Sequence, residues 1–185
     1  MTYRSIVLLM TLALAGGAPA VAQRAAPPGS ARAAAQRTLN AFADRNAEAF
    51  AREVSPEDLA SFRGQLLPGI KAALSGPQRA QALAMIAPAR SYEEAEKLPA
   101  ERLYVVYMSA VMKRVATAGT LRITNTILGE VPEGDTLVHV VYRQHIRQGT
   151  NDATNVNVLS LRRTPGGWKV KLEGAQPGLT AQQVH

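Results

Sequence analysis

Apolar and polar positions change their period part-way along the chain. Beyond about Thr120 the period is two, and before it the apolar residues recur near the helical spacing of about 3.6. The clearest stretch is Asp135–Arg147, DTLVHVVYRQHIR. Its even positions, Val138, Val140, Tyr142, Gln144 and Ile146, form a mostly apolar register. Its odd positions, Leu137, His139, Val141, Arg143, His145 and Arg147, become cationic toward the end. This alternation predicts a strand with one face on a core and one face in water. Leu121–Val131 precedes it, with Leu121, Ile123, Ile127 and Val131 as the inward set, and Pro132-Glu133-Gly134-Asp135 as the turn. Gln148–Asp152 forms a second turn, Thr154–Arg163 a third strand, Pro165-Gly166-Gly167 a third turn, and Trp168–Glu173 a fourth strand. Trp168, Val170 and Leu172 face one way in that strand, with Lys169 and Lys171 opposite.

The first part of the chain reads as helices. Ser30 is placed to cap a helix containing Leu39, Phe42, Ala49 and Phe50, with a break near Asp44-Arg45-Asn46. Ser55-Pro56-Glu57-Asp58 combines a serine cap, proline in the first turn and acids beside it, and opens a helix to about Leu67. Pro68-Gly69 is expected to end that helix, and Gln78–Ile86 forms a short one. Ser91-Tyr92-Glu93-Glu94 has the capping-box form. Pro99 opens the most apolar helix, running to about Ala118, and Gly119 ends it. Leu103 to Val115 in that helix is apolar almost all round, which implies burial, and the expectation is that it lies against the sheet. The fold class is therefore α+β: N-terminal helices packed on a curved four-stranded antiparallel meander sheet.

Composition adds a destination. Met1–Ala22 has a positive start at Arg4, an apolar run Ile6–Ala15, and the small-residue pattern Ala20-Val21-Ala22. It reads as a signal peptide cleaved before Gln23, because the apolar run falls well short of the roughly 20 residues a spanning helix needs. Residues 23–29 form a flexible spacer, 30–173 a single cone-like domain, and 174–185 a loose tail. A periplasmic or secreted protein with no membrane anchor after cleavage is expected. Apolar residues make up 46% of the chain, enough for one core. The net charge of +7 falls by one when Arg4 is lost, and it is spread out. No run of like charges of the kind a nucleic-acid arm carries is present, so no nucleic-acid partner is expected. The absence of cysteine excludes a disulfide framework, a thiolate metal site, a thiol nucleophile and a lipid-acylated anchor.

Helices followed by a long meander, the stretch AFADRNAEAFAREVSPEDL and the turn and strand GGWKVKL together resemble the nuclear transport factor 2-like superfamily. That superfamily includes ketosteroid isomerases, SnoaL-type polyketide cyclases and many secreted bacterial proteins. The resemblance spans Ser30–Glu173 and implies a curved sheet wrapped round a long helix, leaving a conical pocket. Gly76–Leu98 departs from the pattern, reading as helical where many members carry a hairpin. Such a fold hosts many functions and does not by itself choose one.

The chemistry is sparse. His139 and His145 share a face but lie roughly 20 Å apart along a strand, too far to share a metal ion, and no metal site is expected. No catalytic residue is assigned. G-x-S-x-G is absent, and so are the phosphate-loop and dinucleotide motifs, so no cofactor is expected. Tyr104, Tyr107 and Tyr142 offer hydroxyls, but Ile123–Leu128 and Leu137–Arg147 contain no acid, while Asp44, Asp58 and Asp135 sit at caps or turns. Polar residues on the inward registers need hydrogen-bond partners, and Tyr107, Asn125, Tyr142 and Gln144 are the candidate ligand-binding set. His139, Arg143, His145 and Arg147 form a candidate partner-binding surface, for an acidic protein or a second copy docking sheet to sheet. The leading expectation is a non-enzymatic binding domain for a small apolar or amphipathic ligand or a protein partner. The alternative is an isomerase- or cyclase-like enzyme with its site between the long helix and the sheet.

Overall fold

A computed structural model describes residues 27, 29–116 and 121–172. The expected leader, the expected helix end at Ala118-Gly119 and the expected tail lie outside these residues. Six helices precede four strands: α1 (Ala31–Ala43), α2 (Ala47–Glu53), α3 (Pro56–Leu74), α4 (Arg79–Ile86), α5 (Tyr92–Glu96), α6 (Ala100–Ala116), β1 (Leu121–Glu133), β2 (Leu137–Gln148), β3 (Asn151–Thr164) and β4 (Gly167–Val170). The strands form one antiparallel sheet in the order β1-β2-β3-β4. The class is the expected α+β.

Local chemistry sets the helix boundaries. Ser30, Ser55 and Ser91 each accept a backbone N–H at the third residue on, at 3.1–3.3 Å. Asn46 caps α2 in the same way, through Ala49 at 2.9 Å. Between α1 and α2, Arg45 takes a left-handed φ of 56°. Its N–H reaches the Phe42 carbonyl and that of Asn46 reaches Ala41, the paired bonds that close a helix in the Schellman arrangement. The expected break at Pro68-Gly69 does not occur. α3 runs through Pro68 to Leu74. Leu67 and Ile70 are buried on either side of the proline in one cluster with Ile86, Ala95 and Leu103, and this anchoring holds the helix together across the missing hydrogen bond.

The helix on the sheet is α1. Ala31, Ala34, Ala35, Thr38 and Leu39 form a buried stripe at helical spacing. This stripe meets Ile127 of β1, Val138 and Val140 of β2, and Leu161 of β3. α6 packs instead with α2, α3 and α4. Its Tyr104, Val105, Met108 and Met112 share a core with Phe50, Ala51 and Val54 and with Val170 of β4. The expectation that α6 lies against the sheet is thus corrected. A helix apolar all round needs neighbours on several sides, and three helices provide them where one sheet face would not.

Register follows alternation except at one point. Ile127 pairs with Tyr142, but Gly129 pairs with Val141, so Leu128 is an extra residue in β1. This bulge reverses the faces beyond it. Val131, expected inward, is 55% exposed on the outer face. The turns are short: Gly134 and Gly149 take positive φ of 64° and 58°, which tight hairpins require. The last strand is shorter than expected, ending at Val170. Trp168 sits on this short edge strand, paired with Arg163, and packs on the α1 cluster only partly buried.

Leu161 is fully buried, so Leu161→Ala is expected to cost about 2–5 kcal/mol in urea unfolding. Trp168→Ala, at the sheet edge, is expected to cost less than the roughly 3–5 kcal/mol of a fully buried large aromatic. A larger loss at Trp168 than at Leu161 would mean that the edge strand carries the core.

Candidate functional site

An apolar pocket, partly open to solvent, lies among the helices and measures about 270 Å³. α3 contributes Phe62, Leu66, Gly69, Ile70 and Ala73, α4 contributes Ala82 and Met85, and α6 contributes Tyr107. Gln65, Gln78 and Gln81 complete the lining and are exposed, so polar amides surround an apolar interior. The space exists because the residues at 69, 73 and 82 are small. A Cβ built on Gly69 meets nothing within 4 Å. Met85 adds an unbranched, adaptable wall.

Behind this wall is an aromatic group. The ring of Phe62 lies edge-on to Tyr104 at 4.9 Å between centroids and to Tyr107 at 5.1 Å. Tyr104 is 0% exposed, and its hydroxyl has no hydrogen-bond partner among the described residues. Burial pushes its pKa well above the ordinary tyrosine range, and the neighbouring Tyr107 adds to this. The hydroxyl is therefore a neutral donor at any ordinary pH. A buried donor left unpaired costs on the order of 1–3 kcal/mol, which makes this position unusual in the core.

A second, wider cleft of about 540 Å³ opens between the α1–α2 joint, the Ala87-Pro88 segment and α6. Three of its charged groups have partners. Arg102 pairs with Glu48 at 3.4 Å, and Arg45 donates to the Leu121 carbonyl at 2.7 Å.

The four residues expected to bind a ligand do not converge. Tyr107 lines the helical cavity. Asn125 and Gln144 meet on the inner sheet face, where Gln144 donates to Asn125 at 3.3 Å and Asn125 donates to the Leu39 carbonyl at 3.3 Å. They bond each other and the backbone of α1. Tyr142 packs partly buried on the α1 cluster, and burial raises its pKa. The cavity residues on α3 and α4 were not legible because Pro68-Gly69 reads as a helix break. Had the helix been continued, the small residues at 69 and 73, one turn apart beside Leu66 and Ile70, would have marked a dent in an apolar face.

His139, Arg143, His145 and Arg147 share the outer sheet face, as the alternation implies. Acids accompany them. His139 meets Glu133 at 2.7 Å and Ser160 at 3.0 Å, and Asp152 is hydrogen-bonded to His145 and pairs with Arg147 at 3.3 Å. Lys169, which the register places on the same face beside Arg162, donates to the Arg52 carbonyl at 2.6 Å. Val131, Val156 and Val158 are 55%, 61% and 59% exposed on this face. Among the described residues no three His, Asp or Glu side chains cluster as metal ligands, and no helix is long and apolar enough to cross a membrane.

Comparison with protein-family models, with curated proteins and with solved structures finds no match.

The hydrogen bond from His145, together with the one from Arg147, holds the Asp152 carboxyl below its ordinary range. A pKa lowered by folding stabilises the fold above the unfolded value of about 3.9 and loses that contribution as pH falls through the lowered value. The contribution is small because the site is exposed. Carbon-detected NMR titration is expected to place Asp152 below a free aspartate. The midpoint should rise in the double variant His145→Ala, Arg147→Ala, and an unchanged midpoint would show that the hairpin end does not form these bonds.

Proposed function

We propose that this chain is a non-enzymatic, secreted or periplasmic binding domain that holds a small apolar or amphipathic molecule in the cavity between α3, α4 and α6. The observation that carries this reading is the cavity itself: an apolar interior, an amide rim and small residues that keep it open. The reading moves the ligand away from the sheet. The isomerase- or cyclase-like alternative places its site between α6 and the sheet, where α6 shares a filled core with α2 and β4. Helices followed by a meander support the nuclear transport factor 2-like resemblance as a proposal of ancestry. The packing of α6 among helices departs from that superfamily's wrapped helix.

Gly69→Leu tests the binding reading. A leucine at this helical position places its side chain in open space on the cavity wall and replaces a poor helix former. Isopropenylnaphthalene is expected to bind wild-type protein saturably, followed by isothermal titration calorimetry. Gly69→Leu should weaken it more than tenfold while unfolding at the same temperature or higher. Absence of binding to wild type, or equal binding to Gly69→Leu, would refute the reading.

A second reading concerns the outer sheet face. Its exposed valines favour contact with another protein. A second copy of the chain fits better than an acidic partner, because Glu133 already meets His139 and Asp152 already meets His145 and Arg147. A face carrying both signs round an apolar centre is able to complement itself about a two-fold axis. The double variant Val156→Lys, Val158→Lys is expected to turn a sedimenting dimer into a monomer. A wild-type monomer at high micromolar concentration would refute this reading.

A further inference from the structure

Phe62 lines the cavity, and its ring also packs against Tyr104, whose buried hydroxyl has no hydrogen-bond partner among the described residues. Tyr104 and Tyr107 stand three residues apart on α6 and so share one helix face. Both rings meet Phe62 edge-on. Phe62 and Tyr107 line the cavity, whereas Tyr104 is closed off from solvent. Its hydroxyl is the one buried side-chain polar atom without a hydrogen-bond partner among the described residues. Phe50, roughly parallel to Tyr104 at 6.2 Å, and Met108 and Met112 belong to the same apolar core, and no charged residue lines the cavity.

We infer that the cavity's ligand carries a neutral hydrogen-bond acceptor, a carbonyl or ether oxygen, that takes the proton of the Tyr104 hydroxyl once Phe62 turns aside. The inference rests on the proposed binding function and names the class of ligand. A carboxylate is disfavoured at this depth, because a charge there would have one neutral donor and no cation beside it. A purely hydrocarbon ligand would leave the donor unpaired. An amphipathic ligand fits both ends of the site, with an acceptor at its leading end and its other end among the glutamines. Phe62 is a suitable partition because its ring meets its aromatic neighbours edge-on and rotates about two side-chain bonds.

Two probes of nearly equal shape test the inference in the full-length chain. Acetylnaphthalene carries a carbonyl where isopropenylnaphthalene carries a methylene. Calorimetry should show wild-type protein preferring acetylnaphthalene by about fivefold to tenfold, the worth of one buried neutral hydrogen bond. Tyr104→Phe should erase the preference by weakening acetylnaphthalene to the level of isopropenylnaphthalene, and unfold at the same temperature or higher. If both probes bind wild type equally, or the preference survives in Tyr104→Phe, the hydroxyl does not serve the ligand and the inference fails while the cavity reading stands. If neither probe binds wild type, both fail. Phe62→Leu supplies a separate check: with a smaller partition the carbonyl preference should persist and acetylnaphthalene should associate faster, and loss of the preference would overturn the path past Phe62.

Discussion

The seating of α1 on the inner face of the sheet is the contact on which the rest of the architecture depends. It is made by small side chains. Ala31, Ala34 and Ala35 allow the helix backbone close to Ile127, Val140 and Leu161, so the contact gains area from backbone approach more than from large residues. Polar groups then fix the helix along β1. Arg32 reaches Glu130 at 3.4 Å and the Ile127 carbonyl, Asn125 donates to Leu39, and Arg45 holds the Leu121 carbonyl at the start of the strand. Arg45 does this from a left-handed conformation that glycine adopts more easily. The arginine at this joint both ends α1 and secures the first residue of the sheet.

Because α1 occupies the sheet, the most apolar helix is displaced into a layer of its own kind. α6 is surrounded by α2, α3 and α4, and its two faces then do different things. One face, with Val105, Met108 and Met112, closes the core toward α2 and β4. The other, with Tyr107, borders a cavity that the small residues of α3 and α4 fail to fill. Tyr104 lies between these regions and has the properties of neither: it is packed like a core residue and retains a polar group the core does not satisfy. Cavity and orphan hydroxyl occur together because both arise where α3 and α6 meet at Phe62.

The outer sheet face is shaped by one extra residue. Leu128 bulges from β1 and turns Val131 outward, into the neighbourhood of Val158 and Val156. Without the bulge Val131 would join the inner core. The charged end of the same face is partly neutralised by its own acids, with Asp152 hydrogen-bonded to His145 and paired with Arg147. What remains exposed is mixed in sign with an apolar centre, which differs from the cationic surface that strand alternation alone suggests.

Much of this was legible locally. Serine caps at Ser30, Ser55 and Ser91 and the two-residue period of Leu137–Arg147 each depend on a few neighbouring residues and form as the sequence implies, and the glycine turns form more tightly than expected, with Pro132-Glu133 paired in β1 and Asn151-Asp152 in β3. The pairing of four strands in chain order follows from the short turns between them. Tertiary structure decided what depends on competition between distant segments. Which helix covers the sheet was settled by closeness of approach, where an alanine stripe outperforms a helix with apolar residues on every side. Whether Pro68 ends α3 was settled by Leu67 and Ile70 being buried against residues far along the chain. The face of Val131 was settled by a bulge whose position depends on the partner strand. The candidate site belongs to this second class, since its emptiness is a property of three packed helices and is written in no single segment.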